Sequence, residues 1–296
     1  MRLETNGKLL IVDGHGLAFR AFYAVPPLSA PDGTPTNAVL GFMNMLAKAE
    51  DENAPCRVVV VFDAPGPTFR HELYGDYKAQ RKPSPEEFRP QVPLLKELLT
   101  ALGYPVLAEP GVEADDVIAS LALAEARRGG ESLILSSDKD LFQALGPGVR
   151  MLRPVKGTAL KEYDEAIFTE EFGFPPSSMP DYLALLGDAS DNVPGVPGIG
   201  EKTALQLIGE ARTLERLYDP ETLGGLKGAV AKKLAAGKES AFRSRELILL
   251  RIDLPLSPSA PAPLAGNPGA ALALCERLGL SRLTEKLKKT LSEGDS

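Results

Sequence analysis

Three aspartates each follow a short apolar run: Asp13 after Leu9-Leu10-Ile11-Val12, Asp63 after Val58 to Phe62, and Asp138 after Leu133-Ile134-Leu135-Ser136-Ser137. Further acids gather in three places: Glu113, Asp115 and Asp116 in Gly-Val-Glu-Ala-Asp-Asp-Val-Ile, Asp140 just beyond Asp138, and Asp188 with Asp191 in Gly-Asp-Ala-Ser-Asp-Asn. If the apolar runs are strands of one open sheet, the acids that end them share a crevice, because ligands of such sheets bind outside the carboxyl ends of the strands. Asp188 and Asp191, three apart, can face one way on a helical turn. Carboxylates this dense oppose one another by several kcal/mol at reduced dielectric, so the set calls for a compensating cation. Ligation by oxygen alone points to Mg²⁺ or Mn²⁺, and two such ions about 4 Å apart would clamp the attacking and leaving oxygens of a phosphodiester. Taken singly, each acid has an ordinary explanation: Asp13 as a helix N-cap, Glu113 to Asp116 as complements to a helix dipole, Asp188 and Asp191 as turn formers. Their alignment at three strand ends and three other groups favours chemistry for the set.

The elements that must position these acids read as an α/β fold. Continuous hydrophobicity in the three runs suits strands buried on both faces of a mostly parallel sheet, with weaker strands at Val106-Leu107 and Val149 to Leu152. Helical periodicity at Ala38 to Ala49, Leu94 to Leu102 and Val117 to Arg127 places helices between them, on both faces of a Rossmann-like sheet. From about Ser177 the pattern changes to helices broken by Gly and Pro, at Met179 to Leu186, Lys202 to Ile208, Ala229 to Leu234 and Ser240 to Leu249. The expected division is an α/β domain over residues 1–176 and a helical subdomain over 177–290, sharing an interface, with a tail at 291–296 frayed after Thr290. Leu254 to Gly269, rich in Pro and Ala, reads as an extended connector before a helix at Ala270 to Arg277.

Composition narrows the function classes. The 296 residues include two cysteines, Cys56 and Cys275, and two histidines, His15 and His71, which excludes a disulfide scaffold and leaves a Cys/His zinc site without ligands. No stretch reaches the roughly 18 consecutive apolar residues of a membrane span, and Met1 to Lys8 lacks signal-peptide character, so the expectation is a soluble, cytoplasmic protein. A net charge of −7 argues at first against a nucleic-acid partner. Yet nine of the acids fall in the candidate metal constellation, and the rest of the chain then carries a slight positive excess.

Two other segments suit a phosphate backbone. Val193 to Ala204, with Gly195, Gly198 and Gly200 immediately before a helix that opens with Lys202 and Thr203, reads as a helix-hairpin-helix contact, since free amides at a helix N-terminus suit a phosphate. Between Gly198 and Arg245 nine Lys/Arg face six Asp/Glu, a mild positive balance. An insertion at about residues 70–93 carries Tyr77, Lys78, Arg81, Lys82 and Arg89 among four prolines, too interrupted for one regular helix. A cation there can neutralise a scissile phosphate, and Tyr77 can stack on an unpaired base.

Taken in order, Asp13 to Arg20, Phe62-Asp63-Ala64, Phe69 to Glu72, Tyr77-Lys78, Glu113 to Asp116, Ser137 to Asp140, Gly187-Asp188, Ser190 to Asn192 and Gly195 to Thr203 resemble the 5′-nuclease domain of bacterial DNA polymerase I, within the wider flap-endonuclease family. The likeness runs from about Leu9 to Leu256. It implies a PIN-like fold with a helical-arch insertion and a structure-selective 5′-3′ exonuclease and 5′-flap endonuclease, used in primer removal and repair. Asp13, Asp63, Glu113, Asp115 and Asp116 then correspond to one metal region, and Asp138, Asp140, Asp188 and Asp191 to the other, some through bound water. Lys78 and Arg81 correspond to arch cations above the scissile phosphate, Arg20 and Arg70 to phosphate contacts, and Gly195 to Lys202 to a hairpin that binds K⁺ through backbone carbonyls. The implied partners are DNA with 5′ flaps, nicks or gaps, RNA primers, and a DNA polymerase in cis or in trans, with the nuclease itself monomeric. No proofreading or polymerase region fits after Ser296, so the chain reads as a stand-alone nuclease or as part of a longer polymerase.

The resulting expectation is two-metal hydrolysis that leaves a 5′-phosphate and a 3′-hydroxyl. Its rivals are a PIN-type ribonuclease, against which the hairpin and insertion argue, and a non-enzymatic junction-binding module whose acids are structural. A haloacid dehalogenase-type phosphatase is disfavoured, because Asp13-Gly14-His15 lacks that family's second Asp.

Overall fold

In the computed structural model, residues 7–155, 159–256 and 263–294 are described. Lys8–Asp13 (β1), Arg57–Val61 (β2), Val106–Leu107 (β3), Glu131–Leu135 (β4), Val149–Pro154 (β5) and Leu160–Tyr163 (β6) form one sheet in the order β3-β2-β1-β4-β5-β6. All pairs are parallel except β5 with β6. Leu10 lies level with Val58 on one side and Leu133 on the other. The apolar runs are continuous because each face has its own core. Leu9, Ile11, Val59, Val61 and Ile134 point into one, and Leu10, Val12, Val60, Leu133 and Leu135 into the other, the two-residue alternation of a pleated strand.

The helices of the sheet region are Gly14–Ala24 (α1), Asn37–Asn53 (α2), Phe69–Leu73 (α3), Gln91–Ala101 (α4), Ala114–Arg127 (α5) and Glu165–Phe172 (α6). Leu17, Phe42, Leu46, Leu95 and Leu98 cover one face, and Val117, Ile118 and Leu121 the other. The insertion between α3 and α4 consists of turns, with no helix from Tyr74 to Pro90, as its prolines require; Pro93 is accommodated in the first turn of α4.

Met179–Leu186 (α7), Glu201–Ala211 (α8), Leu214–Leu217 (α9), Pro220–Gly225 (α10) and Gly228–Ile248 (α11) follow. Their side chains continue the core of the α5 face: Phe168, Phe174, Tyr182, Leu207 and Leu234 belong to one cluster with Ile118 and Ile134. Pro268–Arg277 (α12) and Ser281–Gly294 (α13) return to the opposite face, where Ala271, Leu274 and Cys275 are buried.

Several expectations are corrected. The two helices expected at Ala229 to Leu234 and Ser240 to Leu249 are one helix, α11; its interior Gly237 is a packing position, where a methyl group would lie 2.7 Å from Val196 Cγ1. Helix α13 runs on to Gly294 rather than fraying at Thr290, and residues 295–296 of the expected tail lie outside the described residues. The connector from Leu254 is irregular where described, residues 257–262 lie outside the described residues, and Pro268 and Gly269 already belong to α12. The edge strand β6 and helices α1, α3, α6, α9, α10 and α13 lie outside the sequence expectations.

Gly195 shows how tightly the hairpin is seated. Its φ is +62°, and a methyl group there would lie 2.4 Å from the Gly187 nitrogen, so replacement meets backbone that cannot yield. Gly195→Ala is expected to destabilise the fold by about 3 kcal/mol, combining left-handed strain with overpacking, as read by urea unfolding.

Candidate active site

The sheet order reverses at β1, whose neighbours are β2 and β4, and a cleft of about 640 Å³ opens beyond the carboxyl ends of these strands. Asp13 ends β1, caps α1 and is buried. Its carboxylate accepts from Gly16 N–H at 2.8 Å and from Ser136 Oγ at 2.7 Å. A methyl group at Gly16 would lie 2.1 Å from that carboxylate, so the Asp-Gly-His-Gly turn leaves the acid its place. The N-cap explanation of Asp13 is realised together with its position in the cleft.

Asp63 lies just beyond β2, exposed, and accepts from Ala114 N–H at 3.0 Å, which fixes it against the start of α5. Asp115, in the first turn of α5, faces the same cleft. Beyond β4, Asp138 N–H donates to Ser136 Oγ at 3.0 Å, and Asp140 N–H donates to Asp138 Oδ1 at 2.9 Å. Ser136 therefore joins the acids at the ends of two adjacent strands, and it is completely buried. Ser136 stands outside the expected site; its signal was its place at the end of an apolar run, where a hydroxyl has no packing role. His15 also lines the cleft, its ring 5.8 Å from that of Phe88, with burial first lowering its pKa.

The electrostatics follow from this crowding. Burial, with the charges of Asp138 and Asp63 added and two hydrogen bonds opposing, pushes Asp13 up to about 6. Burial also raises Asp138, and holds Asp115 and Asp140 well above the usual carboxylate range, with Asp138 the leading neighbouring charge for both. Burial acts on Asp188 too, yet its bonds from Ser190 outweigh it and leave it lowered. Among the described residues no three such groups stand close enough to chelate an ion without side-chain movement. The donor set is nonetheless all oxygen and short of positive charge, which fits hard divalent cations.

The sequence family description "5′-3′ exonuclease, N-terminal resolvase-like domain" matches residues 8–173, more than half of the chain, and "5′-3′ exonuclease, C-terminal SAM fold" matches residues 174–266. The chain belongs to the 5′-3′ exonuclease family. It is 44% identical over 280 residues to a thermostable DNA polymerase I of Thermus thermophilus, covering 95% of this chain and 33% of the relative. A DNA polymerase I of Mycobacterium tuberculosis is 42% identical over 84% of the chain and 28% of its own length. The chain thus spans about a third of the length of the curated relatives it matches. Its fold is that of a T5 5′-exonuclease bound to zinc, at TM-score 0.67 and 23% identity over 95% of this chain and 98% of that one. The catalytic core of Rad2 in complex with DNA substrate has TM-score 0.62 and 18% identity over 93% and 89%.

The structure brings Asp13, Asp63, Glu113, Asp115, Asp138, Asp140, Asp188 and Asp191 to one cleft, together with Tyr77, Lys78 and Arg81 of the insertion. Asp116 is a correction. It is 0% exposed and accepts from Arg70 at 2.7 and 2.9 Å, from Glu113 N–H and from Arg251 N–H, which saturates both oxygens away from the cleft. Arg70 is a correction for the same reason. Its guanidinium donates to Asp116 and to the carbonyls of Leu247 and Leu249, so it ties α3 to α5 and to the end of α11 rather than offering itself to a phosphate. Tyr77 is buried, its hydroxyl donating to Glu113 and Asp191, and has no face free for a base. Arg20 donates to the Val155 carbonyl and does not line the cleft.

The other basic groups stand closer to expectation in place, though not in state. Lys78 Nζ donates to Glu113 Oε1 at 2.6 Å, and Arg81 pairs with Asp191 at 3.3 Å, so both cations lie against expected metal ligands. Of the hairpin glycines, Gly195 is buried against Gly187 and α11, whereas Gly198, Gly200 and Lys202 are exposed and Thr203 is half-buried.

Ser136→Ala removes the hydroxyl that fixes Asp13 and Asp138, and is expected to weaken Mn²⁺ binding by about 10- to 100-fold in calorimetric titration. A carboxylate raised by folding gives stability that is lost as pH rises, for Asp13 between 3.8 and about 6. Asp115→Asn is accordingly expected to melt a few degrees above the wild type at pH 7 in EDTA, with the gap closing toward pH 4.

Proposed function

We propose that this chain is a structure-selective 5′-3′ exonuclease and 5′-flap endonuclease that hydrolyses DNA phosphodiesters with Mg²⁺ or Mn²⁺. The observation that carries this reading is the convergence of Asp13, Asp63, Asp115, Asp138 and Asp140, from three strand ends and one helix start, in a cleft bordered by a basic insertion. Two or more divalent ions supply Lewis acidity for an in-line displacement at phosphorus. Asp13, Asp63 and Asp115 would hold one ion and Asp138 and Asp140 another, with Glu113, Asp188 and Asp191 as outer partners. Lys78 and Arg81 leave their carboxylates to neutralise the scissile phosphate. Arg81, with 57% of its side chain exposed, is the freer of the two.

The remaining assignments belong to the same reading. Residues 1–176 form the nuclease domain, 177–290 the helical DNA-binding subdomain and 291–296 a tail. Gly198, Gly200, Lys202 and Thr203 meet the duplex backbone, Lys202 through its charge and the opening amides of α8, and Thr203 through its hydroxyl, since its amide donates to the Gly200 carbonyl at 3.0 Å. The resemblance implies K⁺ at the hairpin carbonyls, where the Gly198 carbonyl already accepts from Lys233 Nζ at 2.9 Å. The substrates are DNA with 5′ flaps, nicks or gaps and RNA primers, handled by a cytoplasmic monomer in the company of a DNA polymerase during replication and repair.

A 5′-labelled double-flap DNA is expected to be cut at or one nucleotide inside the junction with Mg²⁺ and left intact in EDTA. Asp138→Ala is expected to abolish that product while flap affinity stays within about tenfold. Full activity in the variant rejects the assignment of the acids. Binding without product in the wild type favours a junction-binding module, and preference for a matched RNA flap favours a PIN-type ribonuclease.

A further inference from the structure

Lys233, Gly237, Ser240 and Ser244 recur on α11 at steps of four, three and four, and so share one face of that helix. Each meets the hairpin between α7 and α8. Ser244 Oγ accepts from Gly195 N–H at 3.0 Å, and Ser240 Oγ donates to the Gly195 carbonyl at 2.6 Å. Gly237 makes room for Val196. Lys233 completes the stripe: its Nζ donates to the Gly198 carbonyl at 2.9 Å, and its Cε would lie 2.9 Å from a methyl group at Gly198.

This contact differs from an ordinary surface lysine in two ways. Among the described residues Lys233 has no carboxylate partner, so its charge is delivered whole to the hairpin apex. That apex lies two residues before Gly200, which caps α8: its carbonyl takes the Thr203 amide, and glycine offers no side-chain acceptor to the amides of Glu201 and Lys202. An ammonium on the apical carbonyl adds positive potential beside those amides and holds the turn in one conformation. A soluble monovalent cation seated on the same carbonyl would first have to displace it.

We propose that Lys233 is a positioning residue that serves as the hairpin's built-in cation, so that this chain grips the duplex backbone without needing K⁺. The inference rests on the reading of the hairpin as a DNA contact. The test measures binding of a fluorescent 5′-flap DNA in EDTA, with potassium or tetramethylammonium chloride at matched ionic strength, for the wild type, Lys233→Met and Lys233→Arg.

The wild type is expected to bind alike in both salts, within about twofold. Lys233→Met is expected to bind about tenfold more weakly in tetramethylammonium and to recover most of that loss in potassium, while Lys233→Arg behaves as wild type in both. Loss of one charge from the surface alone would weaken Lys233→Met equally in the two salts, and that result overturns the proposal. So does tightening of the wild type by potassium of fivefold or more, or a Lys233→Met variant indistinguishable from wild type. A wild type that binds no flap DNA in either salt removes the DNA-contact reading itself, and this inference with it.

Discussion

Asp13, Asp63, Asp115, Asp138 and Asp140 repel one another across a cleft whose walls exclude much of the water that would screen them, and the surrounding structure holds them there at a cost to stability. The parallel sheet brings Asp13 and Asp63 to the same end, because β1 and β2 run in register from Leu9 opposite Arg57 to Asp13 opposite Val61, with Asp63 two residues beyond. Ser136 joins Asp13 to Asp138, and the start of α5 holds Asp63 by a backbone amide. Side chains that could relax away from one another are thus tethered by Ser136, just beyond β4, and by the first amide of α5. Such a site gathers negative charge that a cation would offset, though its side chains must still close on the ion.

The basic groups near the cleft divide by burial. Arg70 and Asp116 form a two-pronged buried pair, and with the carbonyls of Leu247 and Leu249 they fasten the insertion's base to the helical subdomain. Removing one partner of such a pair leaves an uncompensated buried charge, so it belongs to the architecture. Lys78 and Arg81 lie farther out, paired with Glu113 and Asp191. Both pairs stand at the mouth of the cleft and are more exposed than the pair of Arg70 with Asp116.

The strands and the convergence of the acids were legible because both follow from patterns with a single physical meaning: apolar continuity for a sheet covered on both faces, and an acid at each strand end. Asp116 was misread because neighbouring acids on a helix start look alike in sequence, whereas a helix turns Asp115 toward the cleft and Asp116 toward Arg70. Arg70 and Tyr77 carried residue types apt for DNA, and only their burial reveals that they tie elements together. The edge strand β6 escaped notice because Leu-Lys-Glu-Tyr, half-covered and polar, has no two-sided core to impose a pattern. Helix α11 was read as two because glycine is a helix breaker on average, but Gly237 sits where close approach to Val196 favours it.

The unbroken length of α11 carries a metric consequence. Its face from Lys233 through Gly237 and Ser240 to Ser244 braces the hairpin, and its last residues, Leu247 and Ile248, form part of the cleft wall. At about 1.5 Å per residue, the 14 steps from Lys233 to Leu247 set roughly 21 Å along the helix, comparable to six stacked base pairs at about 3.4 Å each. One rigid rod therefore fixes the distance between the hairpin and the acid-lined cleft.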